Sequence, residues 1–159
     1  MEDKALLSTE VASGAEKAEL LIVIPAYNEA ENIERVVNHL TANFPQYDYV
    51  VVNDGSRDET AAICQRNGYN LLNLPVNLGL AGAFQAGLKY ADKYGYQYAV
   101  QLDGDGQHRP EYLESMIKKM EEGYDIVIGS RFVGEKKPFT MRMLGSNLIE
   151  MAIRFTTGV

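Results

Sequence analysis

Tryptophan is absent from the chain, and cysteine occurs once in 159 residues, at Cys64. A single thiol excludes an internal disulfide. Cys64 lies in the apolar run Ala61-Ala62-Ile63-Cys64, with no histidine in a known catalytic pattern beside it, so it reads as a small core residue. Basic residues are in the minority: 15 Lys and Arg against 22 Asp and Glu leave a formal net charge of -7. That balance disfavours a nucleic-acid-binding domain, which carries a basic face to neutralise phosphates. No apolar stretch approaches the roughly 20 residues that span a bilayer. Residues 1–19 are polar, acidic and alanine-rich, without the basic and apolar regions of a signal peptide. They are expected to form a flexible leader on a protein that is cytoplasmic or faces the cytoplasm. Repeats and low-complexity tracts are missing too. What remains is ordinary globular composition, 46% apolar and 23% charged. The length suits one domain with a real core, expected over residues 20–159.

Apolar runs and amphipathic stretches alternate along that domain. Leu20 to Ile24 is a continuous apolar run, as in a strand buried on both faces. A helix follows over Ala30 to Asn43, with Ile33, Val36, Val37 and Leu40 at helical spacing and His39 off the stripe, facing solvent. Strands are predicted at Tyr49–Val52, Asn70–Leu74, Tyr98–Leu102 and Asp125–Gly129. Helices are predicted at Asp58–Arg66, stopped by Asn67-Gly68, at Ala81–Tyr94, and from Pro110 to Glu122. A basic, turn-rich loop (Gly134 to Pro138) leads to a last helix over Met141–Thr156. Regular β-α alternation implies an α/β fold with a mostly parallel sheet, and ligands in such sheets bind beyond the carboxyl ends of the strands.

The segments after the strands are therefore where chemistry is sought. They are Pro25-Ala26-Tyr27-Asn28-Glu29, Asn53-Asp54-Gly55-Ser56, Pro75-Val76-Asn77-Leu78-Gly79, Asp103-Gly104-Asp105-Gly106-Gln107-His108 and Ser130-Arg131. The fourth is the sharpest. Oxygens one residue apart on a glycine-permitted turn can aim at a common point, and hard oxygen ligands select Mg2+ or Mn2+. A plain turn is an equal reading of Asp-Gly-Asp-Gly taken alone. An EF-hand loop is disfavoured because His108 stands where glycine is required and a strand precedes the loop. A dinucleotide fingerprint is disfavoured because Arg109 replaces its third glycine, and a P-loop because Gly-Lys-Ser/Thr is missing.

Five of these stretches, in order and register, resemble the family-2 glycosyltransferases of the GT-A fold: Ile22-Val23-Ile24-Pro25-Ala26-Tyr27-Asn28-Glu29, Val51-Val52-Asn53-Asp54-Gly55-Ser56-Arg57-Asp58, Asn77-Leu78-Gly79-Leu80, Leu102-Asp103-Gly104-Asp105-Gly106-Gln107-His108 and Ile128-Gly129-Ser130-Arg131. Gln107-His108-Arg109-Pro110-Glu111 looks most like the dolichyl- and polyprenyl-phosphate sugar transferase branch. The resemblance implies a Rossmann-like nucleotide-sugar-binding domain. It implies that Pro25, Tyr27, Asn28 and Glu29 frame the nucleotide, that Asp54 accepts a hydrogen bond from the base, and that Asn77, Leu78 and Gly79 line the other side. It implies that Asp103 contacts ribose, sugar or metal, that Asp105 and Gln107 ligate the metal, and that Arg131 steadies the diphosphate. Asp103, Asp105 and Arg131 are the expected catalytic residues.

The reaction so implied is an inverting, metal-dependent transfer from a UDP- or GDP-linked sugar to a polyprenyl phosphate or a growing cell-surface glycan. An anionic phosphate acceptor needs no general base, and no convincing base candidate stands in the sequence. Members of the branch are usually longer and continue into an acceptor-side segment, so the chain is expected to be C-terminally truncated, and the processive-synthase signature Gln-x-x-Arg-Trp is missing. The alternative is a non-catalytic module that binds nucleotide sugars. A nucleotidyltransferase is disfavoured, because Pro25-Ala26-Tyr27-Asn28-Glu29 replaces its glycine-rich loop. The last helix aligns Leu144, Leu148, Met151, Ala152 and Phe155 near Lys136, Lys137, Arg142 and Arg154. Such a segment suits a membrane surface, further sequence or a second subunit.

Overall fold

A computed structural model describes residues 19–104 and 110–129. Four strands form one sheet: β1 (Leu20–Ala26), β2 (Asp48–Asn53), β3 (Leu71–Asn73) and β4 (Tyr98–Gln101). Between and after them lie α1 (Ile33–Asn43), α2 (Thr60–Arg66), α3 (Gly79–Lys93), a 3-10 turn at Pro110–Tyr112 and α4 (Leu113–Glu121). The strand order is β3-β2-β1-β4, and every pairing is parallel. This is the α/β architecture with a parallel sheet that the alternation implied.

β1 is central, and all seven of its residues are buried. Successive side chains alternate between faces, so Leu20, Ile22 and Ile24 pack with Ile33, Val37 and Leu40 of α1 and Cys64 of α2. Leu21 and Val23 pack with Ala83 and Ala91 of α3, together with Val50 and Val52 of β2. α3 sits close to the sheet because Gly87 brings no side chain: a Cβ there would collide with Val23 Cγ1. Helices α1 and α2 thus cover one face and α3 the other. The chain steps outward from β1 through β2 to β3, then returns across the opposite face to β4. The direction reverses between β1 and β4, and their carboxyl ends bound the crevice where such sheets take ligands.

Several expectations are corrected. Residues 125–129 form no strand, and Ile126 and Ile128 are 77% and 82% exposed. Their apolar run signals a strand only where a sheet edge supplies partners for its backbone, and no such pairing forms among the described residues. α1 begins at Ile33, not Ala30, because residues 29–32 make a tight turn in which the Asn32 and Ile33 amides both donate to Glu29 O. The leader over 1–18, the loop over 134–138 and the helix over 141–156 lie outside the described residues. Among the described residues no helix is long and apolar enough to cross a membrane.

Candidate functional site

The turn after β1 is pinned by the segment after β2. The Asn28 amide donates to Ser56 Oγ at 3.0 Å, and Asn28 Oδ1 accepts the Arg57 amide at 2.9 Å. The Glu29 amide donates to Thr60 Oγ1 at 2.9 Å, and the Ala30 amide to Asp58 Oδ2 at 3.1 Å. Asn28 has φ +58, a left-handed conformation that asparagine tolerates better than most residues. Tyr27, next to it, projects from the sheet and is 44% exposed.

Asp58 gathers the other end of this arrangement. Slight desolvation pushes its carboxyl upward. Hydrogen bonds from the Thr60 hydroxyl and from the Thr60 and Ala30 amides outweigh that and hold it below the usual carboxylate value. Thr60 itself is fully buried.

A second junction joins the turns after β2 and β3. Asp54 is buried, its amide donates to Ala26 O at 2.8 Å, and its Oδ1 accepts the Leu78 amide at 2.7 Å. Leu78 precedes the first residue of α3, so this carboxylate meets the positive end of that helix. Gly55 has φ +64, and a Cβ there would lie 2.7 Å from the Asn77 nitrogen, so only glycine lets the two turns meet. Asn77 Oδ1 accepts the Gly79 amide at 3.1 Å. Asn53, also buried, bonds through Nδ2 to Asn73 Oδ1.

The third junction closes the crevice. The Leu102 amide donates to Val23 O at 3.0 Å, and Gln101 Nε2 donates to Asp103 Oδ1 at 2.9 Å. A Cβ on Gly104 would lie 3.2 Å from Pro25 O and 3.4 Å from Glu29 Cγ, so the turn carrying Asp103 lies directly against the turn carrying Glu29. Glu29 is oriented by Asn32, whose Nδ2 donates to Glu29 Oε2 at 2.9 Å.

Pro25, Tyr27, Asn28, Glu29, Asp54, Asn77, Leu78, Gly79 and Asp103 therefore all stand on the carboxyl edge of one sheet. Asp105, Gln107 and Arg131 lie outside the described residues. Among the described residues no group of three His, Cys, Asp or Glu side chains is placed to hold a metal. Of the expected ligands, Asp103 alone is described, and its hard oxygens on the edge suit Mg2+ or Mn2+.

The sequence assigns no role to Ser56, Asp58 or Thr60 in holding the turn after β1. Small polar residues at a helix start signal a cap, and Asp58 Oδ1 does take the Thr60 amide there, but Ser56 Oγ, Thr60 Oγ1 and Asp58 Oδ2 also receive the amides of the neighbouring turn. Two bland readings hold: His39 is exposed beside Asn43, and Cys64 is buried, which pushes its thiol up to about 11.

The family model for Glycosyl transferase family 2 matches residues 21–158. The polyprenol monophosphomannose synthase of Mycolicibacterium smegmatis is 34% identical over 119 residues, 71% of this chain and 45% of that protein. Two solved structures share the fold. A mannosyltransferase of Pyrobaculum calidifontis, in complex with GDP-Man and Mn2+, matches with TM-score 0.52 at 21% identity, over 65% of this chain and 32% of that one. TarS of S. aureus, in complex with UDP-GlcNAc, matches with TM-score 0.50 at 26% identity, over 65% of this chain and 31% of that one. The chain spans about half the length of the curated relatives it matches, 45% to 50%.

Proposed function

This chain belongs to glycosyl transferase family 2, and on that premise we propose that it forms the donor-binding part of an enzyme that moves a sugar from a nucleoside diphosphate sugar to polyprenyl phosphate. The observation that carries the reading is the placement of Tyr27, Asp54 and Asp103 just beyond the carboxyl ends of the adjacent strands β1, β2 and β4. The exposed Tyr27 ring offers a face to the base. Asp54 has one oxygen on the Leu78 amide and a second available to accept from a base N–H. Asp103 reaches the ribose or the diphosphate.

Asp103, Asp105 and Gln107 are the residues that would hold a divalent cation, and their oxygen donors fit Mg2+ or Mn2+. A bound cation of this kind neutralises charge on a departing diphosphate. Arg131 supplies a planar guanidinium suited to pairing phosphate oxygens. Displacement at the anomeric carbon in one step inverts its configuration. A phosphate acceptor arrives as an anion and needs no base. The name of the M. smegmatis relative supports a polyprenol-linked acceptor and a role in lipid-linked sugar synthesis. Such an acceptor would place the reaction at the cytoplasmic face of a membrane, touched peripherally or shared with a second subunit.

One experiment tests both halves of the proposal. Calorimetry with UDP- and GDP-linked sugars and Mn2+ runs beside a transfer assay with polyprenyl phosphate. One nucleotide sugar should bind, and sugar should appear on the lipid. Absence of binding to every nucleotide sugar would sink the reading. Binding without transfer supports the second reading, a nucleotide-sugar-binding module.

A further inference from the structure

Asn28 is the one non-glycine residue with positive φ among the described residues. It stands between Tyr27 and Glu29, two of the side chains that the donor reading needs. Such conformations persist only where the surroundings over-determine them, and here the restraint comes from outside the turn. The Asn28 amide is held by Ser56 Oγ, and its Oδ1 is held by the Arg57 amide. Glu29 is held through its amide by Thr60 Oγ1, which in turn donates to Asp58 Oδ1. Asp58 Oδ2 takes the Ala30 amide. Consecutive amides 28, 29 and 30 thus end on three different side chains after β2. Thr60 is fully buried and out of reach of any ligand.

We propose that Asn28 and Thr60 are positioning residues, which latch the turn after β1 onto the segment after β2 and so set the direction of Tyr27 and Glu29, without themselves touching the donor. This rests on the donor-site reading above. It departs from the simpler expectation that Asn28 contacts the nucleotide. The physical cause is direct: the Tyr27 ring follows the backbone on either side of it. Without the latch the Asn28 backbone would relax from the left-handed region, and the ring would turn with it.

The test uses the full chain with Asn28→Gly, which keeps the left-handed backbone but removes the acceptor, and Thr60→Val, which removes the hydroxyl with little change of shape. Amide exchange over residues 27–30 and calorimetric affinity for UDP and GDP with Mn2+ are read for each variant and for the pair. Each single change should speed exchange and weaken the preferred nucleotide about tenfold, the factor that 1.4 kcal/mol represents. The double variant should lose less than the product of the two, as expected of residues in one network. Asn28→Asp, which restores an acceptor for the Arg57 amide, should recover affinity to within about twofold of the parent. Ser56→Ala reads the same latch if Thr60→Val fails to fold.

Parental affinity in Thr60→Val beside a loss in Asn28→Gly would mean that Asn28 touches the nucleotide directly, and overturns the proposal. Unchanged exchange at 27–30 in both variants overturns it as well. A parent protein that binds neither nucleotide overturns the donor-site reading and removes the positioning role with it.

Discussion

Asp54 reads in the sequence as an acceptor for a base, yet in the structure one of its oxygens receives the Leu78 amide at 2.7 Å. That tertiary bond crosses 24 residues of chain, and no local pattern announces it. Asp54→Ala should leave the Leu78 amide without its partner and destabilise the fold by about 1–3 kcal/mol. Asp54→Asn keeps an oxygen at the same place, loses only the charge near α3, and should cost less than about 1 kcal/mol. Urea unfolding of the two variants separates hydrogen bond from charge. Asp58 makes a prediction of opposite visibility. Its folded carboxyl is held below its ordinary value of 3.8 by the Thr60 and Ala30 hydrogen bonds. A lowered folded value stabilises the protein above the unfolded value, and that stabilisation disappears as pH falls through the folded one. Urea midpoints should therefore fall faster below about pH 3.8 in the parent than in Asp58→Asn. Parallel curves for the two proteins over that range would mean that Asp58 contributes nothing to acid lability.

Helices and strands were legible in proportion to how local their causes are. β1 and β2 announce themselves because strands covered on both faces must be apolar throughout. α1 and α3 announce themselves by spacing. Both helices start two or three residues away from where spacing places them, since the turns before them are decided by Glu29 O and Asn77 Oδ1. Residues 125–129 carry the same apolar signal as a strand and form none, because a strand exists only with a partner and periodicity does not supply one. The packing of α3 on β1 was legible only as a glycine in a helical run. Gly87→Ala raises helix propensity by about 1 kcal/mol, yet its methyl would collide with Val23 Cγ1. Overpacking of a tight contact costs about 1–3 kcal/mol, so the net effect should be destabilising. Val23→Ala makes room for that methyl. The Gly87→Ala/Val23→Ala pair should therefore unfold at higher urea than the sum of the two single changes allows. Strict additivity would place the collision elsewhere.

For the molecule as a whole, the sheet order decides what the edge can do. Every expected site residue that is described stands at a carboxyl end, because strand-end residues of a parallel sheet share one edge whatever their distance in sequence. How the turns hold one another is not legible in sequence: Ser56 stands in a turn and Asp58 and Thr60 in the predicted helix Asp58–Arg66, and only the fold shows them receiving the amides after β1. A ligand that bridges turns joined in this way should stabilise the entire domain. Occupancy at a hundred times the dissociation constant adds about 2.7 kcal/mol to unfolding, a rise in melting temperature of several degrees for a domain of this size. On the proposed reading UDP or GDP should produce such a rise, and Mn2+ should enlarge it only when the nucleotide is present, because a diphosphate would complete the cation's shell. Asp103→Ala should abolish the cation-dependent increment and keep part of the shift given by nucleotide alone. Tyr27→Ala should diminish both if, as proposed, its ring takes the base. A shift by Mn2+ without nucleotide that survives Asp103→Ala would instead describe a cation bound away from this edge, and the crevice between β1 and β4 would lose its claim to the diphosphate.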